Sequence, residues 1–202
     1  MDKTIKIHQS ATIGKTPTIG AYVLINEDNA TQKTRIGDNA TIRSHSVLYG
    51  GNSIGDNFHA GHGVLIRECN TIGDNVSIGS HSVIEHHISI GNNVRIHSNT
   101  FIPEYSVLED NCWIGPCVVF TNARYPESPN VKKELIGPII KRGAIVGANV
   151  TILPGVTIGE GALIGAGTVV TKDIPAKAVV IGNPMRIVKS KDDLPYEKNS
   201  TR

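Results

Sequence analysis

The strongest constraint on this chain is a six-residue period. Stepping by six from Ile36 gives Ile42, Leu48, Ile54, Ala60, Ile66, Ile72, Ile78, Ile84, Ile90, Ile96, Ile102, Leu108, Ile114 and Phe120, and every one is apolar. A chain that is 39% hydrophobic does not produce such a run by chance. The phase returns at Ile140, Val146, Ile152, Ile158, Ile164 and Val170, and it is already present at Ile13, Ile19 and Ile25.

A longer period sits on the first. Gly37-Asp38-Asn39, Gly55-Asp56-Asn57, Gly73-Asp74-Asn75, Gly91-Asn92-Asn93 and Glu109-Asp110-Asn111 recur every 18 residues, so three hexapeptides make one turn of a coil. Each hexapeptide supplies a short strand with one inward aliphatic side chain, then a corner of Gly, Asp, Asn or Ser that tolerates positive φ. Coils stacked about 4.8 Å apart pair strand on strand and bury a continuous aliphatic column. The expectation is an all-β parallel β-helix of hexapeptide repeats, with about eight coils and a height of roughly 38 Å.

Two segments break the phase. Residues 26–35 are polar and read as a short excursion. Residues 121–139 carry Pro126, Pro129, Pro138 and the basic pair Lys132-Lys133, and read as an inserted loop. A long loop in an otherwise regular coil is a candidate functional element. After Pro175 the repeat fades through Gly182-Asn183-Pro184. Residues 1–188 are therefore taken as one β-helical domain and 189–202 as a charged, mobile tail.

Composition narrows the function classes. Twenty Lys and Arg against eighteen Asp and Glu leave a net charge of +2, too little for a field that gathers nucleic acid or a membrane surface. Aromatic residues are only 4%, so platforms for stacking bases are few. No apolar run approaches the roughly 18 residues that span a bilayer. Met1-Asp2-Lys3-Thr4 has no apolar signal segment behind it, so the expected location is the cytoplasm. The three cysteines, Cys69, Cys112 and Cys117, are odd in number and lack metal spacing, and read as reduced thiols.

The 18-residue coil stacks corner residues in columns. One column holds Gly50, Glu68, His86, Glu104 and Asn122; a second holds His45, Gly63, His81, Asn99 and Cys117; a third holds Ser44, His62, Ser80, Ser98 and Pro116. Neighbours in a column lie about one strand spacing apart, which puts His86 between Glu68 and Glu104. A carboxylate beside an imidazole orients it and favours its protonated form, as a proton acceptor requires. Corners face solvent or a neighbouring chain, so polar residues are ordinary there. His59, His62, His81 and His87 read as surface or interface positions, and Trp113 as interface packing or a stacking wall.

The repeat pattern resembles the hexapeptide-repeat acyltransferases over nearly the whole chain, and residues 140–159 (IKRGAIVGANVTILPGVTIG), 165–175 (GAGTVVTKDIP) and Gly182-Asn183-Pro184-Met185-Arg186 resemble that family's C-terminal acetyl-CoA half. Within that family, residues 111–122 (NCWIGPCVVFTN) and the loop after them resemble nucleotide-sugar N-acetyltransferases acting on dTDP- or UDP-linked 3-amino sugars. The resemblance implies a left-handed coil, whereas the ordinary crossover preference favours the right hand. It implies a homotrimer with sites between subunits, and acetyl-CoA as co-substrate with no metal. Residues 84–91 (IEHHISIG) resemble the family's catalytic Ile-x-His segment, which makes His86 the candidate base. Asn99 and Glu104, in 96–104 (IHSNTFIPE), resemble the residues that hold the substrate amine; in that branch the coenzyme A sulfur can relay the proton instead. Backbone near Gly147, Ala148, Gly165 and Ala166 is expected to bind the pantetheine arm, with Pro154 and Lys172 continuing the His86 column and Lys172 and Arg186 meeting phosphates.

Three other readings stay open. His45, His81 and His86 have a spacing similar to the zinc ligands of gamma-class carbonic anhydrases, which share the fold. Two features oppose that reading: His86 sits differently within its hexapeptide, and no Asn-x-Gln-Asp segment precedes it. An O-acetyltransferase acting on a sugar hydroxyl is the second, and a non-catalytic β-helical scaffold is the third.

Overall fold

Each hexapeptide folds into a two-residue strand whose second residue is the buried aliphatic of the period, as in Arg35–Ile36, Ser53–Ile54 and Val83–Ile84. The computed structural model describes residues 3–26 and 32–194. Half of the 26–35 excursion (residues 27–31) and the chain end (residues 195–202) lie outside the described residues.

The strands stack into three parallel sheets. The first has nine strands, from Lys6–Ile7 through Leu65–Ile66, Val83–Ile84, Phe101–Ile102 and Val119–Phe120 to Val169–Val170. The second has eight, from Thr12–Ile13 to Thr157–Ile158. The third runs from Thr18–Ile19 to Leu163–Ile164 and Ala178–Ile181, and the antiparallel strand Arg186–Ser190 closes it. Register follows the 18-residue coil, with Ile66 opposite Ile84 and Ile84 opposite Ile102. The whole is a left-handed parallel β-helix of about nine turns, one more than the six-residue phase suggests because Ile7 before it and Ile174 and Val180 after it also take inward positions.

The inward residues make one continuous core from Val23 to Val180. Phe58, fully buried two residues before Ala60, supplies the volume that Ala60 lacks. The outer faces of the three sheets differ. From Leu24 to Val119 the outward residues of the first sheet are aliphatic or aromatic (Leu24, Val47, Leu65, Val83, Phe101 and Val119), with Lys6 and Thr151 beyond them, and Phe101 and Val119 stay 37% and 40% exposed. Along the second they begin Thr12, Arg35, Ser53, Thr71 and Ser89.

Corner chemistry explains the Gly-Asp-Asn repeat. Between the second and third sheets, the Asp56 carboxylate accepts from Asp38 N–H (2.7 Å), Asp74 from Asp56 (2.8 Å) and Asn92 from Asp74 (2.8 Å). Asn39, Asn57 and Asn75 take left-handed φ of 59°, 55° and 56°, a region asparagine tolerates better than most residues. A Cβ at Gly55 would lie 2.2 Å from the Asp74 carboxylate, so glycine is required where one rung meets the next.

Buried polar side chains lock other corners. Asn70 accepts from Ile88 N–H (2.7 Å) and donates to the Arg67 carbonyl (2.9 Å), while its own N–H donates to Asn52 Oδ1 (2.9 Å). Ser46, Ser82 and Thr100 bind backbone in the same way between the third and first sheets.

The insertion keeps the coil in register. The chain leaves the first sheet at Phe120, passes through a 3₁₀ turn at Val131–Lys133, and rejoins the second sheet at Ile139–Ile140, paired with Val107–Leu108. Ile136 N–H donates to Asn122 and its carbonyl accepts from Gly155, so the loop rests on a corner of the prism. The boundary expected at 188/189 falls inside the strand Arg186–Ser190, and Lys191–Asp193 forms a 3₁₀ turn capped by Ser190. The first part of the expected tail is ordered because its backbone pairs with Ala178–Ile181.

Candidate active site

Glu68, His86, Glu104 and Asn122 stack on one corner, between the first and second sheets, as the column arithmetic requires. His86 Nε2 lies 3.5 Å from Glu104 Oε1, and Glu104 Oε2 accepts from Asn122 Nδ2 at 2.6 Å. On its other side, His86 Nδ1 is 2.8 Å from His87 Nδ1, and Tyr105 meets the His86 ring edge-on at 6.1 Å. The imidazole is thus held at Nδ1, and its Nε2 faces the Glu104 carboxylate.

The second expected carboxylate is engaged elsewhere. Arg67 forks onto both oxygens of Glu68 (3.0 and 3.1 Å) and reaches Glu85 at 3.1 Å. A charged, planar guanidinium outcompetes an imidazole for a carboxylate one residue away. Burial pushes the Glu68 carboxyl up, but its own backbone N–H and Arg67, with a smaller contribution from His86, outweigh this and hold it below the usual range. No hydrogen bond or ion pair joins His86 to Glu68 among the described residues.

Sequence reasoning missed three residues of this corner: His87, Tyr105 and Asn122 as the partner of Glu104. His87 and Tyr105 hold φ of 58° and 65°, where most corners place Asn or Gly. Bulky residues kept at that cost are a signal of use.

Asn99 occupies another corner, between the third and first sheets, with φ 59°. His45 and His81 share that corner, so the three histidines of the zinc alternative do not come together within one chain. Among the described residues no group of three or more His, Cys, Asp or Glu side chains is arranged to hold a metal ion.

The expected coenzyme residues divide between two places. Gly147, Gly165 and Ala166 line a cavity of about 510 Å³ on the outer face of the third sheet, with Trp113, Ile145 and Leu163, and Ala148 lies at the adjoining corner. Pro154 and Lys172 line a separate cavity of about 430 Å³ on the His86 corner, together with Arg124 from the inserted loop. Arg186 is exposed on the closing strand. Within one chain these groups do not form a single site. Trp113 is half-buried and meets the His97 ring at 4.6 Å with the planes tilted, which makes it a cavity wall. Of the cysteines, Cys69, Cys112 and Cys117 are all free, and burial pushes the Cys112 thiol up to about 12.

Comparison with known proteins agrees with this architecture. Residues 30–136 match the family described as GMPPB C-terminal domain, and residues 137–172 match the bacterial transferase hexapeptide (six repeats). YvoF of Bacillus subtilis (strain 168), provisionally named an acetyltransferase, is 47% identical over 64 residues, 32% of this chain and 35% of YvoF. The 2,3,4,5-tetrahydropyridine-2,6-dicarboxylate N-acetyltransferase of Clostridium perfringens (strain SM101 / Type A) is 43% identical over 60 residues, 30% of this chain and 25% of that protein. The chain thus spans about a third or less of the length of these curated relatives. Among solved structures, LpxA of Bacteroides fragilis 9343, a UDP-N-acetylglucosamine acyltransferase, superposes with a TM-score of 0.64 at 21% identity, covering 95% of this chain and 75% of that one. At that identity the likeness is one of fold.

Proposed function

We propose, since this chain belongs to the hexapeptide-repeat acyltransferases and over residues 30–136 to the GMPPB C-terminal domain family, that it transfers acetyl from acetyl-CoA to the amine of a nucleotide-linked amino sugar. The observation that carries this reading is the His86–Glu104 pair. If His86 Nδ1–H donates to His87, Nε2 is left as an acceptor 3.5 Å from the Glu104 carboxylate, and two acceptors facing each other leave a place for an N–H donor. A substrate amine fits there. Glu104, fixed by Asn122, orients it, and His86 takes its proton as the amine attacks the thioester carbon. The carbon–sulfur bond breaks and the thiolate leaves as coenzyme A. A hydroxyl acceptor carries a single O–H and cannot donate to both groups at once, so the amine is preferred.

The reading requires neighbouring chains. Asn99 and His86 lie on the two corners that flank the first sheet, and that sheet carries the apolar outer face. Three copies packed on those faces bring the Asn99 corner of one protomer to the His86 corner of the next. The same packing brings the Gly147–Gly165 groove of one chain to Pro154 and Lys172 of another, a combined cleft for the pantetheine arm and its phosphates. Light scattering on the wild-type chain should give three chain masses at micromolar concentration. Val83→Glu together with Phe101→Glu should give monomers, because charges in a shared apolar seam are buried without partners. A wild-type monomer contradicts the shared site.

The direct test is thiol release from acetyl-CoA with a panel of dTDP- and UDP-linked amino sugars beside their hydroxyl counterparts. Turnover with an amine acceptor supports the reading. Turnover with hydroxyl acceptors only, or with none, overturns it.

A further inference from the structure

The third sheet carries a second cavity that the chemistry above does not use. It has a volume of about 390 Å³ and is lined by Arg43, His59, His62, Arg95 and His97, with serines and glycines between them. Register explains its shape. The outward row of this sheet reads Thr41, His59, Ser77, Arg95, Trp113. The next row reads Arg43, Gly61, Gly79, His97. Two glycines therefore leave a floor without side chains between Arg43 and His97. A Cβ at Gly61 would fall 2.5 Å from Ser80 N, and one at Gly79 would fall 2.3 Å from Ser98 N, so coil stacking forbids side chains on this floor.

The walls are cationic and unneutralised. Neither Arg43 nor Arg95 has an ion-pair or side-chain hydrogen-bond partner among the described residues, whereas Arg67 and Arg142 each face a carboxylate. No Asp or Glu lines the cavity. His97 Nε2 is buried without a hydrogen-bond partner. Burial, and then Arg43, hold the His59 imidazole below its ordinary pKa; burial and Arg95 do the same for His97. Two positive charges, and serines beside a floor of two glycines, are the complement of an anion with several oxygens.

We propose that this cradle binds a diphosphate group, and that the diphosphate is the one linking nucleotide to sugar in the acceptor. The identity of the acceptor rests on the function proposed above; the diphosphate site does not. Arg43 and Arg95 stand three coils apart, about 14 Å between their strands. Two long side chains closing from that distance fit a diphosphate better than a single phosphate. The His97–Trp113 ring pair separates this cationic stretch from the apolar Gly147–Gly165 groove, so acceptor phosphates and pantetheine occupy successive parts of one face. The cradle includes Ser80 and Ser98, at the corner that carries Asn99, where the neighbouring protomer's His86 is expected.

Trp113 is the only tryptophan and touches the cradle through His97, so it reports occupancy without any turnover. Titrating the full-length protein with inorganic pyrophosphate and with UDP should change its fluorescence saturably. Arg43→Ala and Arg95→Ala should each weaken both ligands about tenfold or more, the scale of one charge-assisted contact. Both side chains are exposed, so the thermal midpoint serves as a folding control and should not move. A second arm repeats the UDP titration at saturating coenzyme A. Unchanged UDP affinity assigns the cradle to the acceptor, whereas competition assigns it to the coenzyme and overturns the proposal. Absence of saturable pyrophosphate binding, or equal affinity in the two arginine variants, also overturns it. Arginine-dependent binding with no acetyl transfer to any amino sugar would leave the diphosphate site standing and the acceptor reading refuted.

Discussion

Replacing His86 with alanine should cut turnover by about 10²- to 10⁴-fold while leaving the Michaelis constants for both substrates nearly unchanged, the usual span for loss of a general base. The expectation comes from the way His86 is held. Its Nδ1 is committed to His87 and its Nε2 faces Glu104 across 3.5 Å, so removing the ring deletes the proton acceptor without disturbing the coil beneath. A loss under about tenfold would instead assign the proton to the coenzyme A sulfur and reduce His86 to a positioning residue. Asn99→Ala should be severe under either route, because it loosens the amine that both require. Since Asn99 and His86 occupy different corners, the two inactive variants unfolded, mixed and refolded together should regain part of the activity. Mixed trimers then contain one intact site where wild-type corners meet. No recovery, with trimers confirmed, would place the whole site within one chain and refute its division between corners.

Asn70→Leu should lower stability by about 2–4 kcal/mol, one of the largest single-site effects outside the aliphatic stack. The side chain is buried at 1% exposure, and its oxygen is the partner of Ile88 N–H. Leucine has a similar volume, so no large cavity forms. What is lost is a pair of hydrogen bonds, and a backbone donor is left orphaned away from water. Thr71→Ala, one residue on but exposed, should stay within about 0.5 kcal/mol of the wild type. Chemical denaturation with both variants checks the pair. If Asn70→Leu unfolds with Thr71→Ala rather than well before it, the buried asparagine is not the corner lock described here.

Side-chain chemistry read along the chain is enough to reveal the six- and 18-residue periods, the inward aliphatic stack, the three corners and the loop after Phe120. Each depends on local rules: which residues bury, and which tolerate a left-handed turn. The column that joins Glu68, His86 and Glu104 follows from the same arithmetic, since stacking by 18 residues fixes which corner a residue reaches. The arithmetic ends at the Cα trace. It could not show that Arg67 claims Glu68, that Glu104 is held by Asn122, or that His87 holds the other nitrogen of His86, because those outcomes are settled by competition among side chains one strand spacing apart. The strand end at Lys189 and Ser190 was equally hidden: a charged segment becomes a strand only when an open sheet edge stands beside it. Nor could spacing disclose the cradle on the third sheet. Arg43 and Arg95 are 52 residues apart and look like ordinary solvated charges until three stacked coils put them on the walls of one cavity, over two glycines that the packing of those coils keeps bare.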